Sequence, residues 1–394
     1  MNRQHATIIV GAVLFLVVAM GIGRFSLTPI LPFLREAEGL SVEKGGWLAS
    51  ANYIGYFIGA LWAGFIVKNQ KKGLYMNAWI CVISILGMGI VHNFYVWLVL
   101  RLINGITGGL IFVLTSSMLL DYLARHYLTK WSGYVFSGIG VGIALSGILV
   151  PYLQKFFAWQ GAFIGLSILS AVFVLTNHFL WQKLEDPAYE KIKGTTQKFW
   201  TGFMPWITIA YGLEGLGYII TGTFLVDMIH EMPSLQNYAS YSWVIVGIGA
   251  IPSAPIWSLL MSKYKPMVII TSAYILQIIG IILPVISTTI IGVMVSALLF
   301  GVTFVGIVVL TTSYCRELFP TKSASVVSTL TTYYAVGQII GPLIAGKLAT
   351  YFGGYNSALI FAGSVVASAL CLLLFGKKYS QIKLNTKTST AKVI

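Results

Sequence analysis

Three ionisable side chains stand inside long apolar runs, where charge is expensive: Arg24, Arg101 and Glu214. Arg24 lies in Gly21-Ile22-Gly23-Arg24-Phe25-Ser26-Leu27-Thr28-Pro29, between glycines and a proline. Glu214 lies in Gly212-Leu213-Glu214-Gly215-Leu216-Gly217-Tyr218 and is the only carboxylate near the middle of any apolar run. A charge at the centre of a bilayer costs about 3 kcal/mol or more, so such a residue is read first as functional. Arg24 is suited to hold an anion, or to form a charge pair that breaks during a conformational cycle. The bland alternative is a guanidinium snorkelling to the headgroups, helped by helix opening before Pro29 and Pro32. For Glu214, burial and a nearby guanidinium would pull in opposite directions on its proton, which suits a group that takes up and releases one. Its alternative is a static ion pair or a hydrogen-bonded neutral acid.

The remaining chemistry-bearing residues are quieter. Asn52, Asn104, Tyr211, Tyr218, Gln277, Tyr334 and Gln338 are polar groups within apolar runs. All but Gln277 are candidates to contact a substrate together with Arg24, although a polar residue in a span is often an interhelical hydrogen bond. Asp121 and Asp227 fall at span ends, where charge is inexpensive, and read as boundary residues. His5, His92, His126, His178 and His230 show no metal-ligand spacing, and Cys81, Cys315 and Cys371 read as small apolar residues. Gly138-Ile139-Gly140-Val141-Gly142 follows no strand and is no cofactor loop. No nucleophile with its base, nucleotide loop or metal motif is visible, so the expectation is no enzyme, no cofactor and no metal.

The elements that position these residues follow from composition. The chain has 394 residues, 57% hydrophobic and only 9% charged, against roughly 25% charged in soluble domains. Apolar runs of bilayer-spanning length recur, with predicted cores Thr7–Leu31, Gly46–Val67, Leu74–Val91, Phe94–Leu120, Gly133–Leu153, Trp159–Trp181, Phe199–Val226, Ala239–Met261, Met267–Ile286, Thr289–Tyr314, Val326–Thr350 and Tyr355–Phe375. The fold class is therefore an all-α membrane protein of twelve transmembrane helices. Residues 1–181 form one six-helix half, 182–198 a polar linker, 199–376 the second half and 377–394 a basic tail. The tail lacks apolar periodicity and is predicted to be disordered. The first run shows no small-residue cleavage site and is expected to stay as a span.

Alternate loops differ sharply in charge. One set carries Arg3, Lys68, Lys71, Lys72, Arg125, Lys183, Lys263, Lys265, Arg316, Lys377 and Lys378 among others, and the opposite set chiefly Arg35, Lys44 and Lys155. This positive-inside pattern puts both termini in the cytoplasm of an inner or plasma membrane. It also accounts for the net charge of +14 through lipid-facing basic loops, with no nucleic-acid partner.

The two halves repeat. GITGGLIFVLTSS from Gly105 aligns without gaps on GVTFVGIVVLTTS from Gly301, and Gly138, Gly142 and Gly147 align on Gly337, Gly341 and Gly346. The same exercise sets Gly21-Ile22-Gly23 on Gly215-Leu216-Gly217. Glu214 then matches Met20, four residues or about 6 Å along a helix from Arg24, which allows the two charges to pair. A parallel repeat of this kind places a substrate near the midplane, between halves that rock.

Arg101-Leu102-Ile103-Asn104-Gly105 resembles the fourth-helix Arg-x-x-x-Gly motif of the major facilitator superfamily, and Gly337-x-x-x-Gly341-Pro342 its eleventh-helix glycine–proline motif. The runs GIGRF, TPILP and SANYIGYFIGAL, with GYII and TFL in the seventh helix, are similar to the YbfB/YjiJ-like branch. After Gly64 the loop keeps basic residues but lacks the family's usual aspartate, so the usual charge network is not carried over to it. The resemblance implies a monomeric secondary transporter of a small organic solute, with Arg24 bordering a central cavity. It gives Arg101 a coupling or packing role and makes Gly105, Gly138, Gly142, Gly147, Gly337, Gly341 and Pro342 packing and gating positions. Protons, handled by Glu214 and Arg101, are the expected driving ion, alongside lipids as surroundings. The alternatives are a multidrug or metabolite exporter and, from another class, a membrane ligand sensor.

Overall fold

The computed structural model describes residues 3–66, 68–186, 200–319 and 322–390, and within these every regular element is helical. In a bilayer each backbone polar group must be satisfied inside its own segment, which leaves helices as the economical solution for such runs. Helix α1 (Arg3–Leu16) passes into a π-helical stretch, Val17–Arg24, and then α2 (Leu27–Glu38). The widened turns are visible in the Phe25 amide, which donates to Met20 O at 3.1 Å, five residues back. The stretch packs on a glycine contact: a Cβ on Gly21 would lie 2.4 Å from the Gly142 Cα. The predicted first span thus falls within one longer, locally unwound piece.

Helices α3 (Val42–Ala63), α4 (Gln70–Ile90) and α5 (Phe94–Arg125) follow, then short α6 (Ser132–Val135) and α7 (Ser137–Leu180). Ser41 caps α3, accepting from the Lys44 amide, and Asn93 caps α5, accepting from the amides of Tyr95 and Val96. The 44 residues of α7 would reach about 66 Å as one straight helix, over twice the roughly 30 Å hydrocarbon core. The path breaks at Phe157 and Ala158, whose backbone is non-helical, with Ala158 at φ +48°. The break lies between the predicted spans that end at Leu153 and begin at Trp159.

The second part comprises α8 (Met204–His230), α9 (Ala239–Ala250), α10 (Ser253–Lys263), α11 (Pro266–Ile286), α12 (Ile290–Leu318), α13 (Ser323–Phe352) and α14 (Asn356–Thr390). The span expected over Ala239–Met261 is a pair of helices bent by 40°, with Pro252 at the junction removing a backbone donor. Among the described residues eight helical segments are long and apolar enough to cross a membrane, or nine counting the bent pair as one span. The tail departs from expectation: α14 continues through Thr390. Of the expected linker, residues 187–198 lie outside the described residues, as do 391–394 of the tail. The linker's first residues are held by Lys71, whose Nζ donates to Gln182 O at 3.1 Å and Leu184 O at 2.9 Å, while its amide donates to Asp186 Oδ1 at 2.8 Å.

Polarity is arranged inside out relative to a soluble protein. Trp62, Ile83, Val99, Phe179 and Ile291 are exposed, whereas Ser50, Asn177, Thr208 and Ser296 are wholly buried. With lipid outside, helices gain little from apolar contact alone, so close backbone approach and interhelical hydrogen bonds hold the bundle. The aligned glycines serve that approach in matching ways. A Cβ on Gly105 would lie 2.0 Å from Asn52 O, and one on Gly301 2.3 Å from Val246 O. Gly138 presses on Val13 O of the first helix, and Gly337 on Gly212 O of α8.

Candidate functional site

A cavity of about 950 Å³ lies among the helices. Met20, Arg24 and Phe25 border it from the first helix, Tyr56 from α3, Phe112 from α5, Tyr211 and Tyr218 from α8, Phe304 from α12, and Tyr334 and Gln338 from α13. It extends to Thr129, Ser132, Ser262 and Arg316, beside the ends of α5, α10 and α12. Its walls are mostly apolar and aromatic. Among the described residues Arg24 and Arg316 are the charged side chains on them, and no carboxylate borders the cavity.

Arg24 is only 4% exposed. Its Cζ lies 4.6 Å from the ring centroids of both Tyr53 and Tyr56 and 5.3 Å from that of Phe25, so ring faces surround the guanidinium and compensate part of its lost hydration. Its Nε and Nη2 are buried and have no hydrogen-bond partner among the described residues. The side chain does not extend to the bundle end, as a snorkelling arginine would. Opposite it, rings stand nearly parallel. Tyr211 and Tyr334 are 4.3 Å apart at 20°, Tyr218 and Tyr334 5.5 Å at 17°, and Tyr218 and Phe304 6.0 Å at 8°.

Glu214 does not reach the cavity wall. It is fully buried beside Gln277 and Tyr334, close to both but outside hydrogen-bond geometry, so both carboxyl oxygens lack a partner. The Gln277 amide and the hydroxyls of Tyr274 and Tyr334 are likewise unpaired. Tyr334 both borders the cavity and adjoins Glu214, and Tyr211 stacks on it. No ion pair joins Glu214 to Arg24: among the described residues the ion pairs run Arg35–Asp227, Arg35–Glu231, His92–Glu38, Arg125–Asp121 and His230–Glu36.

The structure separates the expected substrate contacts into two groups. Arg24, Tyr211, Tyr218, Tyr334 and Gln338 meet at the cavity, with the Gln338 amide donating to the Tyr218 hydroxyl. Asn52 and Asn104 do not; they are spent between helices. Asn52 Nδ2 donates to Asn104 Oδ1 at 3.0 Å and to Arg101 O at 3.2 Å, and Asn104 Nδ2 donates to Ser84 Oγ at 3.0 Å. Arg101 is also committed. Its guanidinium donates to Leu48 O (3.3 Å), Gly23 O (3.0 Å) and Arg24 O (3.2 Å). It therefore fixes the backbone that carries Arg24, and its buried charge is compensated by carbonyl dipoles. Pro342, set among the helix-packing positions, stands inside α13, and its carbonyl would lie 2.5 Å from a Cβ on Gly46.

Away from Thr129 and Arg316, the other end of the cavity is sealed by contacts between the first and second parts of the chain. Arg35 Nη1 meets Asp227 and also Glu231 Oε1 at 3.1 Å and the Tyr355 hydroxyl at 2.9 Å, while Tyr355 donates to Asp227. His230 Nε2 contacts Glu36 Oε1 at 2.9 Å. Deeper in, Thr28 Oγ1 donates to Gly222 O at 2.7 Å, Ser50 Oγ to Ile339 O at 2.8 Å, and the hydroxyls of Tyr53 and Thr223 lie 3.2 Å apart. Sequence reasoning leaves Asp227 as a boundary residue; the structure makes it the centre of this closure, with a side chain 2% exposed. The available signal is the concentration of acids and bases at the sparse loop ends, Arg35, Glu36, Glu38, Asp227 and Glu231.

The sequence matches the family described as "Uncharacterised MFS-type transporter YbfB" over residues 16–374. It is 22% identical over 379 residues to the quinolone resistance protein NorA of Staphylococcus aureus (strain COL), covering 93% of this chain and 95% of that one. It is 21% identical over 368 residues to the MFS-type transporter YcaD of Escherichia fergusonii, covering 90% and 92%. The solved structure of a point mutant of the nucleoside transporter NupG superposes with a TM-score of 0.76 at 15% identity, covering 95% of this chain and 99% of that chain. At such identity the superposition speaks for the fold alone. With the family match running from the first helix into α14, this chain belongs to the YbfB-type branch of the major facilitator superfamily, and it is a multi-pass secondary transporter and not an enzyme.

Proposed function

We propose that the protein carries a small organic anion across the inner or plasma membrane together with protons, by alternating access between two six-helix halves. The observation that carries this reading is the Arg24 guanidinium, with Nε and Nη2 buried and unpaired, bordering a cavity on whose wall no carboxylate stands among the described residues. Counting α3 and α13 as spans beside the eight segments, dividing α7 at Phe157–Ala158 and joining α9 to α10 gives twelve spans, with both termini cytoplasmic. The cavity then opens to the cytoplasm, and the Arg35–Asp227–Tyr355 contacts close the outer side. Glu214 carries the coupling proton. Its separation from the cavity by Tyr211 and Tyr334 supports a carboxyl that exchanges only when those rings move. Arg101 supports this site by positioning Arg24.

A second reading, export of drugs or metabolites, is favoured by the aromatic walls and by the similarity to a protein named for quinolone resistance. Proteoliposomes loaded with a pH-sensitive dye separate the two. Expected is uptake of benzenesulfonate, a permanent anion, above protein-free vesicles, with proton movement in step. Glu214→Gln should lose accumulation driven by a pH gradient and keep exchange of labelled for unlabelled anion. Transport of tetraphenylphosphonium and of no anion would sink the anion reading and leave the exporter.

A further inference from the structure

Building on the anion reading, we infer that the substrate is an aromatic monocarboxylate, its carboxylate on Arg24 and its ring against the Tyr218–Phe304–Tyr334 side of the cavity. Three observations converge. The first is the shape of the unpaired donor set. Nε and Nη2 form one side of the guanidinium fork, the side that a carboxylate meets through both oxygens, and both are closed off from the cavity space in this arrangement. The rings of Phe25, Tyr53 and Tyr56 stand around the guanidinium and are the side chains that give way as the carboxylate docks.

The second is the charge count. Of the lining side chains among the described residues only Arg24 and Arg316 are charged, and Arg316 lies at the far end with Thr129 and Ser262. Arg101, the other buried arginine, already donates to three backbone carbonyls. A single free cation edge balances one negative charge. A phosphate or dicarboxylate at Arg24 would bring a second charge that Arg316, at the far end, does not meet.

The third is the wall itself. Tyr218, Tyr334 and Phe304 border the cavity with ring planes within 8–17° of one another along the row. Phe25, beside the Arg24 guanidinium, meets Phe304 edge to face at 6.0 Å. The cation and the row are therefore joined by one ring. A planar ring attached to the carboxylate extends from the guanidinium along this row, where aromatic pairing adds to plain apolar burial. A saturated ring of the same size fills the volume without that pairing.

The test is calorimetric titration of the detergent-purified full chain at neutral pH, with benzoate, 1-naphthoate, cyclohexanecarboxylate, benzamide and benzylamine as probes. Expected are binding of benzoate and tighter binding of 1-naphthoate, with cyclohexanecarboxylate and benzamide each at least tenfold weaker than benzoate. Phe304→Leu should weaken benzoate several-fold and leave cyclohexanecarboxylate unchanged, and Arg24→Lys should weaken both acids at least tenfold. Equal affinity for benzoate and cyclohexanecarboxylate overturns the aromatic requirement while the anion reading stands. Equal affinity for benzamide overturns the carboxylate requirement. Binding of benzylamine without any acid overturns this inference and the anion reading together. The wild-type panel decides each of these outcomes, whether or not a variant folds.

Discussion

Replacing Asp227 by asparagine should open the sealed end of the cavity. Its carboxylate receives Arg35 and Tyr355, with its own side chain 2% exposed and that of Arg35 16% exposed. Breaking a buried ion pair by removing one partner costs about 3–5 kcal/mol, and a hydrogen bond to a charged group contributes about 1.5–3 kcal/mol. Here Arg35 is partly solvated and keeps Glu231, 44% exposed, at 3.1 Å, so the lower range applies, about 2 kcal/mol. That loss falls on the closed arrangement alone, because the pair spans parts of the chain that separate when this end opens. A shift of about 2 kcal/mol changes the open-to-closed ratio about 30-fold, taking an open population of about 1% to about a fifth. Spin labels at Lys44 and Asn356, both exposed, report the separation across this end. The background is Cys371→Ser, since Cys81 and Cys315 are buried. Asp227→Asn should add a longer-distance population absent from the parent. An unchanged distance distribution in a monodisperse Asp227→Asn sample would refute the claim that this cluster holds the end closed.

Other outcomes follow from the same geometry. Asn104→Leu removes the hydrogen bonds to Asn52 and Ser84, leaving Asn52 Nδ2 only Arg101 O and Ser84 Oγ only Cys81 O. The melting temperature should therefore fall for a loss of about 1–3 kcal/mol, at about 0.5–1.5 kcal/mol for each bond, while benzoate affinity is unchanged; a selective affinity loss would return Asn104 to the binding site. Gly105→Ala, whose Cβ would lie 2.0 Å from Asn52 O, should cost about 1–3 kcal/mol by overpacking, whereas Gly354→Ala, with nothing within 4 Å, should leave the melting temperature alone. Lys71→Met should speed amide exchange over Gln182–Asp186 several-fold by removing the Nζ contacts, as read by mass spectrometry. Equal protection in both proteins would mean that Lys71 does not anchor the linker.

The membrane class and the individual helices were legible because bilayer crossing leaves a signal in every residue of a run. Arg24 and Glu214 stood out for the same reason, as ionisable groups against an apolar background. The Arg35–Asp227 closure was not legible. Each residue alone sits where charge is inexpensive, and only the packing of chain segments 192 residues apart turns two surface charges into one buried contact. Asn52 and Asn104 show the converse. A polar residue on a span offers the same composition whether it faces a cavity or a neighbouring helix, and the difference lies in the helix's rotation. The π-helical stretch that carries Arg24 packs on Gly142 through Gly21, a contact across 121 positions that no local pattern encodes. The helical tail through Thr390 lacks the apolar periodicity by which helices are usually recognised.

The ring-lined berth of Arg24 has an electrical consequence. Among the described residues no carboxylate pairs with the guanidinium, so in an unloaded carrier its positive charge stands within the bilayer without a direct counter-ion. A full elementary charge moved across the whole membrane exchanges about 2.3 kcal/mol with each 100 mV of potential, and a charge displaced through part of that field exchanges the corresponding fraction. On the proposed cycle, the anion neutralises Arg24 while Glu214 holds its proton. Release of both leaves a carboxylate on Glu214 to offset the bare guanidinium, so with one proton per anion both crossings are nearly blind to the membrane voltage. Glu214→Gln removes that offset, and the unloaded return of this variant alone would be driven by the cell's membrane potential.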